Sequence, residues 1–323
     1  MPAKNKPVLA VDIGGTKIMT ALFSADGKME TKDVRPTLAA DGVEAVVERL
    51  YLAVQDIFKK NDVTPSQLQA ISIACAGGID TEEGIVVTPS PSLPDWSGLP
   101  LADIIKEKTG VITYVLNDAS AAALAEQRYG AGKGVKNLVL ITLGTGIGGG
   151  IIIDDKLYLG ADGGAGELGH MTVESDGLRC GCGNTGCLEM YASGRAVARD
   201  AVARMRKGEK SSLAENIEKL AAEMVGVAAK KGDKLARDVI DRAAFYLGVG
   251  LVNIVNIFNP QMIVIGGGLS GLGEMLIAPG RKMVAERTFS INSRNVKIVK
   301  ARLGNEAGVY GAAAFAFDKR RIV

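Results

Sequence analysis

Short apolar runs, many of them closed by a glycine cluster, recur along the chain and alternate with longer stretches of helical spacing. The β-branched runs predict strands over residues 8–13, 18–23, 70–75, 112–116, 138–143, 149–153, 262–265 and 296–299. Between them, a 3.6-residue pattern predicts helices over 42–59, 99–108, 119–129, 195–206, 235–258 and 304–317. Strands alternating with helices define an α/β chain.

Two segments share one plan. VLAVDIGGTKIMTALF and LVLITLGTGIGGGIIID each run from an apolar strand through a Gly/Thr turn straight into a second strand. This weak internal repeat suggests two related α/β domains around a cleft. The expected division is a small domain, 1–118 plus 303–323, and a large domain, 119–302, with a helical insertion near 195–258. A chain of 323 residues is long enough for two cores.

The net charge of +2, with no dense basic stripe, argues against nucleic acid and against an anionic membrane surface as partners. Asp12 interrupts the first apolar run, so no secretory signal is expected. The apolar stretch 247–258 is broken by Asn253 and Asn256 and reads as too short to span a bilayer.

Three of the four cysteines, Cys180, Cys182 and Cys187, follow the single histidine, His170, within a glycine-rich loop. One imidazole and three thiolates suffice for a closed tetrahedral Zn²⁺ site, which leaves no position for a catalytic water and is therefore structural. That assignment takes the only histidine out of acid–base chemistry, so a general base is expected to be a carboxylate. Cys75 is left as a small core residue, and a reducing, cytoplasmic compartment fits this cysteine usage.

Three glycine-rich turns follow predicted strands. In the first, Asp12 precedes Gly14, Gly15, Thr16 and Lys17, without the spacing of a Walker loop. Such a turn can offer backbone N–H groups and the Thr16 hydroxyl to a phosphate, with Asp12 holding Mg²⁺ through water. An ordinary tight hairpin accounts for this turn equally well. The second turn contains Gly144, Thr145 and Gly146, and the third is Gly266-Gly267-Gly268, read as opening a helix whose dipole suits a phosphate. The three together favour a nucleotide cleft.

Asn117 and Asp118 end a strand and open an alanine-rich helix. Asp118 serves there as a helix cap, as a base accepting a proton from an attacking hydroxyl, or as both. Glu167 precedes His170 by three residues and Glu189 follows Cys187 by two, so a metal clamp would hold both carboxylates in place. With zinc on one ring nitrogen, His170 would present the other as a fixed donor. Asn117, Asp118, Glu167, His170 and Glu189 then make a hydroxyl-recognition set.

In this order DIGGTK, LND, GTGIGGG, GELGH and CGCGNTGCLE resemble the motifs of the ROK (repressor, open reading frame, kinase) sugar kinases over essentially the whole chain. That family belongs to the actin-like, ribonuclease-H-like ATPase superfamily. The resemblance implies ATP- and Mg²⁺-dependent phosphorylation of a hexose, glucose to glucose 6-phosphate first, with N-acetylmannosamine, N-acetylglucosamine, fructose or mannose as alternatives. It implies Asp118 as the base, Asn117, Glu167, His170 and Glu189 on the sugar, Gly77 and Gly78 lining its pocket, and a homodimer or homotetramer. One position departs: where family glucokinases often carry an Asn, this chain has Ser92, which bears on the choice of hexose. The family also contains sugar-responsive repressors with an N-terminal DNA-binding domain. With DIGGTK beginning at Asp12, no such domain is expected here. An actin-like ATPase without a sugar acceptor is disfavoured by the zinc loop.

Overall fold

The computed structural model describes residues 6–318 apart from Arg294. Three strands open the chain, β1 (Val8–Ile13), β2 (Lys17–Phe23) and β3 (Met29–Pro36), and helix α1 (Val43–Asn61) leads on to β4 (Ala70–Cys75). A small hairpin of β5 (Gly77–Asp80) and β6 (Ile85–Pro89) precedes α2 (Leu101–Thr109), β7 (Thr113–Asn117) and α3 (Asp118–Arg128). A second round begins with β8 (Leu138–Leu143), β9 (Ile147–Ile153) and β10 (Lys156–Tyr158). It continues through α4 (Glu189–Ala192), α5 (Gly194–Arg206), α6 (Ala222–Lys230) and α7 (Lys234–Phe258) to β11 (Met262–Gly266). Helices α8 (Glu274–Arg287) and α9 (Ser290–Ser293), strand β12 (Lys297–Lys300) and α10 (Ala307–Phe317) complete it.

The two five-stranded sheets have orders β3-β2-β1-β4-β7 and β10-β9-β8-β11-β12. These are the same order, so the sequence repeat is a repeat of topology. In each, the first strand is central. β1 pairs antiparallel with β2 and parallel with β4, and β8 pairs parallel with β11. Parallel neighbours need crossover connections, which is why helices separate β1 from β4 and β8 from β11. β1 and β4 are almost wholly buried, as continuous apolar runs in a parallel sheet should be.

Contacts divide the chain into unit 1 (residues 1–134, 150–165 and 305–323) and unit 2 (135–149 and 166–304). α3, drawn with the second domain from sequence, belongs to unit 1. Its alanine-rich face packs on α10 so closely that a Cβ at Gly311 would lie 1.8 Å from the Ala121 carbonyl oxygen. In unit 2, α7 runs through the stretch read as too short to span a bilayer. By length and composition this helix could cross one, yet it packs against α4, α5, α6 and α8, and Leu235, Ile240, Leu247, Leu251 and Ile254 are buried.

Candidate functional site

In unit 1 the parallel register sets the C-terminal ends of β1, β4 and β7 side by side, with Ile13 opposite Cys75 and Cys75 opposite Asn117. The first glycine-rich turn is tied down at both ends. The Gly14 N–H donates to the Lys17 carbonyl (3.1 Å), and Thr37, just past β3, donates from Oγ1 to the Gly14 carbonyl (2.6 Å) and from N–H to the Thr16 carbonyl (3.0 Å). Gly15 packs beneath Ser92, and Lys17 reaches the Asn305 carbonyl (3.5 Å).

Asp12 sits at the end of β1 with its carboxyl desolvated, although the residue keeps some accessible surface. Burial first, then the charge of Asp118, push its pKa up to about 7, against a lowering by Lys17. The first turn of α10 backs this carboxyl: a Cβ at Gly308 would lie 2.4 Å from the Asp12 Cγ. Sequence reading missed Gly308, whose only signal was a glycine just inside a predicted helix.

At the start of α3 the N-cap is Asn117, its Oδ1 accepting from the N–H groups of Ala119 (2.9 Å) and Ser120 (3.1 Å). Its Nδ2 donates to the Gly77 carbonyl (2.9 Å), tying the β5–β6 hairpin, with Gly77 and Gly78, to the end of β7. Asp118 is the first helical residue, half-buried, and accepts from the Ala119 N–H (2.8 Å). Cys75 lies near both aspartates, and burial together with their charges pushes its thiol far up, so it stays protonated and unreactive.

In unit 2 the predicted metal ligands converge. The ligand atoms of His170, Cys180, Cys182 and Cys187 all lie within 4.8 Å of one another. Cys182 Sγ and Cys187 Sγ are 3.7 Å apart, as are Cys180 Sγ and His170 Nδ1. Tetrahedral zinc, with bonds of about 2.3 Å to sulfur and about 2.0 Å to nitrogen, gives edges of about 3.5–3.8 Å. The donor set therefore fits zinc in type and spacing. Backbone bonds help to fold the loop: Cys180 N–H donates to the Asn184 carbonyl (2.8 Å) and Gly183 N–H to the Cys180 carbonyl (3.1 Å). With Nδ1 turned to the thiols, Nε2 of His170 faces Glu167 Oε2 at 3.8 Å.

Glu189, which the sequence assigns to the sugar, also has a protein partner. Its Oε2 accepts from the Ile147 N–H (2.8 Å) in the second glycine-rich turn. The approach requires glycine at 146, where a Cβ would lie 2.3 Å from that oxygen. The same turn is stitched to the start of α5 by bonds from Gly194 N–H to the Gly144 carbonyl (2.8 Å) and from Arg195 N–H to the Thr145 carbonyl (3.3 Å). The third turn departs from expectation. Gly266 ends β11, but Gly267 and Gly268 open a 3-10 helix of five residues, and α8 starts only at Glu274. An α-helix dipole is therefore not what this turn offers; its backbone groups are.

Two repeats of a five-stranded sheet, with carboxylates at the strand ends of one unit and a Cys3His cluster in the other, define an α/β protein of the actin-like ATPase class. The chain belongs to the ROK family, which it matches over residues 8–319. It is 38% identical over 314 residues, 95% of this chain and 96% of the relative, to a glucokinase of Thermotoga maritima. A ROK family glucokinase from Streptomyces griseus, solved with glucose and AMPPNP, superposes with a TM-score of 0.80 at 36% identity, covering 95% of this chain and 98% of that one. A xylose repressor of Caldicellulosiruptor bescii is 33% identical over 95% of this chain and 77% of its own length.

Proposed function

We propose that this protein is a hexose kinase that transfers the γ-phosphoryl group of ATP to a sugar hydroxyl, with glucose phosphorylated at O6. The observation that carries the reaction is the division of labour at the end of β7. Asn117 is the N-cap of α3 and Asp118 follows it as the first helical residue at the end of β7, and the Asp118 carboxylate is assigned to accept the proton of the acceptor hydroxyl. In the transfer, the sugar oxygen bonds to the γ-phosphorus, the β–γ bridge P–O bond breaks to leave ADP, and the hydroxyl proton goes to Asp118. The turns holding Gly14, Gly15 and Thr16, Gly144, Thr145 and Gly146, and Gly266, Gly267 and Gly268 are assigned to the nucleotide, and Lys17 adds positive charge. Mg²⁺, held through water near Asp12, would neutralise charge on the β- and γ-phosphate oxygens.

Asn117, Asp118, Gly77, Gly78, Glu167, His170 and Glu189 are assigned to the sugar. His170, Cys180, Cys182 and Cys187 would hold zinc, and it would be structural, because the four residues supply a full tetrahedral ligand set. Its role is to fix the His170 ring, whose Nε2 then serves as a donor. ATP supply and reduced thiols suit a cytoplasmic enzyme, and family resemblance points to a homodimer or homotetramer.

The test is ADP release from Mg-ATP with glucose, mannose, fructose, N-acetylmannosamine and N-acetylglucosamine offered separately. Glucose is expected to turn over best. Strong preference for an amino sugar would reassign the substrate and point to Ser92. Sugar binding with no ADP release would instead favour sugar-responsive regulation, in line with the similarity to the xylose repressor.

A further inference from the structure

The metal loop and the second glycine-rich turn are joined by one side chain. Cys187 is followed at once by Leu188, which is buried, and then by Glu189. From there the Glu189 carboxylate reaches back across 42 residues of sequence to the Ile147 amide, at 2.8 Å. Its side chain is 14% exposed, so this charge-assisted bond is shielded from water. The other oxygen, Oε1, lies 3.4 Å from Arg195 Nη2, and the Arg195 N–H itself donates to the Thr145 carbonyl. Gly146 is pressed against the carboxylate with no room for a methyl group. One acidic group thus contacts the turn at Gly146 and Ile147, and it follows Cys187 by two residues.

We infer that Glu189 is a positioning residue for the nucleotide turn, through which occupancy of the Cys3His cluster sets the affinity for nucleotide. This goes beyond its assignment to the sugar, and it rests on the reading that residues 144–146 bind a phosphate. Without metal, Cys187 loses its anchor, the Glu189 carboxylate is no longer held against the Ile147 amide, and the turn samples conformations that cannot present its N–H groups together. Ordering the turn must then be repaid at each binding event, which weakens binding.

The experiment is calorimetric titration of Mg-ADP, without sugar, into four proteins as purified: wild type, Glu189→Gln, Glu189→Ala and Gly146→Ala. The wild type is titrated again after metal removal by a chelator, with circular dichroism confirming that it remains folded. Glu189→Gln keeps an oxygen for the Ile147 amide and should bind Mg-ADP within about threefold of wild type, whereas Glu189→Ala should lose about tenfold. Gly146→Ala, which leaves the carboxylate in place but crowds it, should lose a comparable amount and serves if Glu189→Ala does not fold. The folded, metal-free wild type should fall to the level of Glu189→Ala, and removing metal from Glu189→Ala should cost little more. Unchanged ADP affinity in Glu189→Ala or Gly146→Ala, or in the folded metal-free protein, overturns the coupling. Wild-type protein that binds no Mg-ADP overturns the assignment of the turn itself, and the coupling with it.

Discussion

Asp12 and Asp118 are electrostatically coupled: burial first, and then the charge of Asp118, raises the pKa of Asp12. Asp12 lies near the end of β1 and Asp118 at the start of α3, both in unit 1, and together these effects push Asp12 up to about 7. An acid whose pKa is higher in the folded than in the unfolded chain binds its proton more tightly when folded. The stability this contributes is fully present below about pH 4 and is lost as the pH rises through 7.

Removing that group should therefore flatten the pH dependence. Between pH 5.5 and 8.5, without Mg²⁺, the wild type should lose about 2 kcal/mol more stability than Asp12→Asn. Urea unfolding of both proteins at the two pH values measures the difference, and parallel curves would show that Asp12 titrates normally. In the wild type, affinity for Mg-nucleotide should improve from pH 6 to pH 8 as Asp12 ionises.

Asp118→Asn should lower turnover about 10²–10⁴-fold while glucose binding, read by calorimetry, persists. Because Asn117 supplies the cap, α3 should keep it in this variant. Asn117→Ala should behave oppositely in stability, costing about 1–2 kcal/mol through the exposed amides at the start of α3. If Asp118→Asn retains wild-type turnover, the carboxylate has no part in proton transfer.

Gly308→Ala runs against the usual rule for helices, where alanine is favoured over glycine by roughly 1 kcal/mol. Here the new methyl would meet the Asp12 carboxylate. The Mg²⁺ concentration needed for half-maximal activity should rise several-fold with little change in the KM for glucose. A variant that is simply more stable, with unaltered Mg²⁺ dependence, would remove Gly308 from the site.

Cys182→Ser should abolish metal retention, measured by elemental analysis, and weaken glucose binding by about 10–100-fold, the usual cost of disturbing groups that orient a site. Its effect passes through His170, whose Nε2 loses its fixed direction toward Glu167. Metal-free protein with full glucose affinity would show that the clamp does not position the sugar contacts.

Several elements that the sequence hid have identifiable reasons. β3 reads METKDVRP, an edge strand in which half-buried and exposed positions alternate without an apolar run. α8 contains Pro279 and Gly280, which hide a helix from any propensity argument. The β5–β6 hairpin begins at Gly77, whose φ of +122° lies outside what strand patterns describe. By contrast β1, β4 and β8 were visible to the residue, because buried parallel strands are continuous apolar runs bounded by glycine.

Composition and spacing were sufficient for whatever is local in the chain: the α/β class, the repeated strand-turn-strand unit, the Cys3His ligand set and the Asn117-Asp118 helix start. Such features depend on bonds and turns within a few residues, so short-range geometry dictates them. Packing alone settled which groups act on one another. Asp12 feels the charge of Asp118 and is backed by Gly308 because α10 packs on both β1 and α3 in unit 1. Glu189 reaches Ile147 because the metal loop folds back on the second turn. No periodicity records such encounters, since they arise from burial and close approach between segments far apart in the sequence.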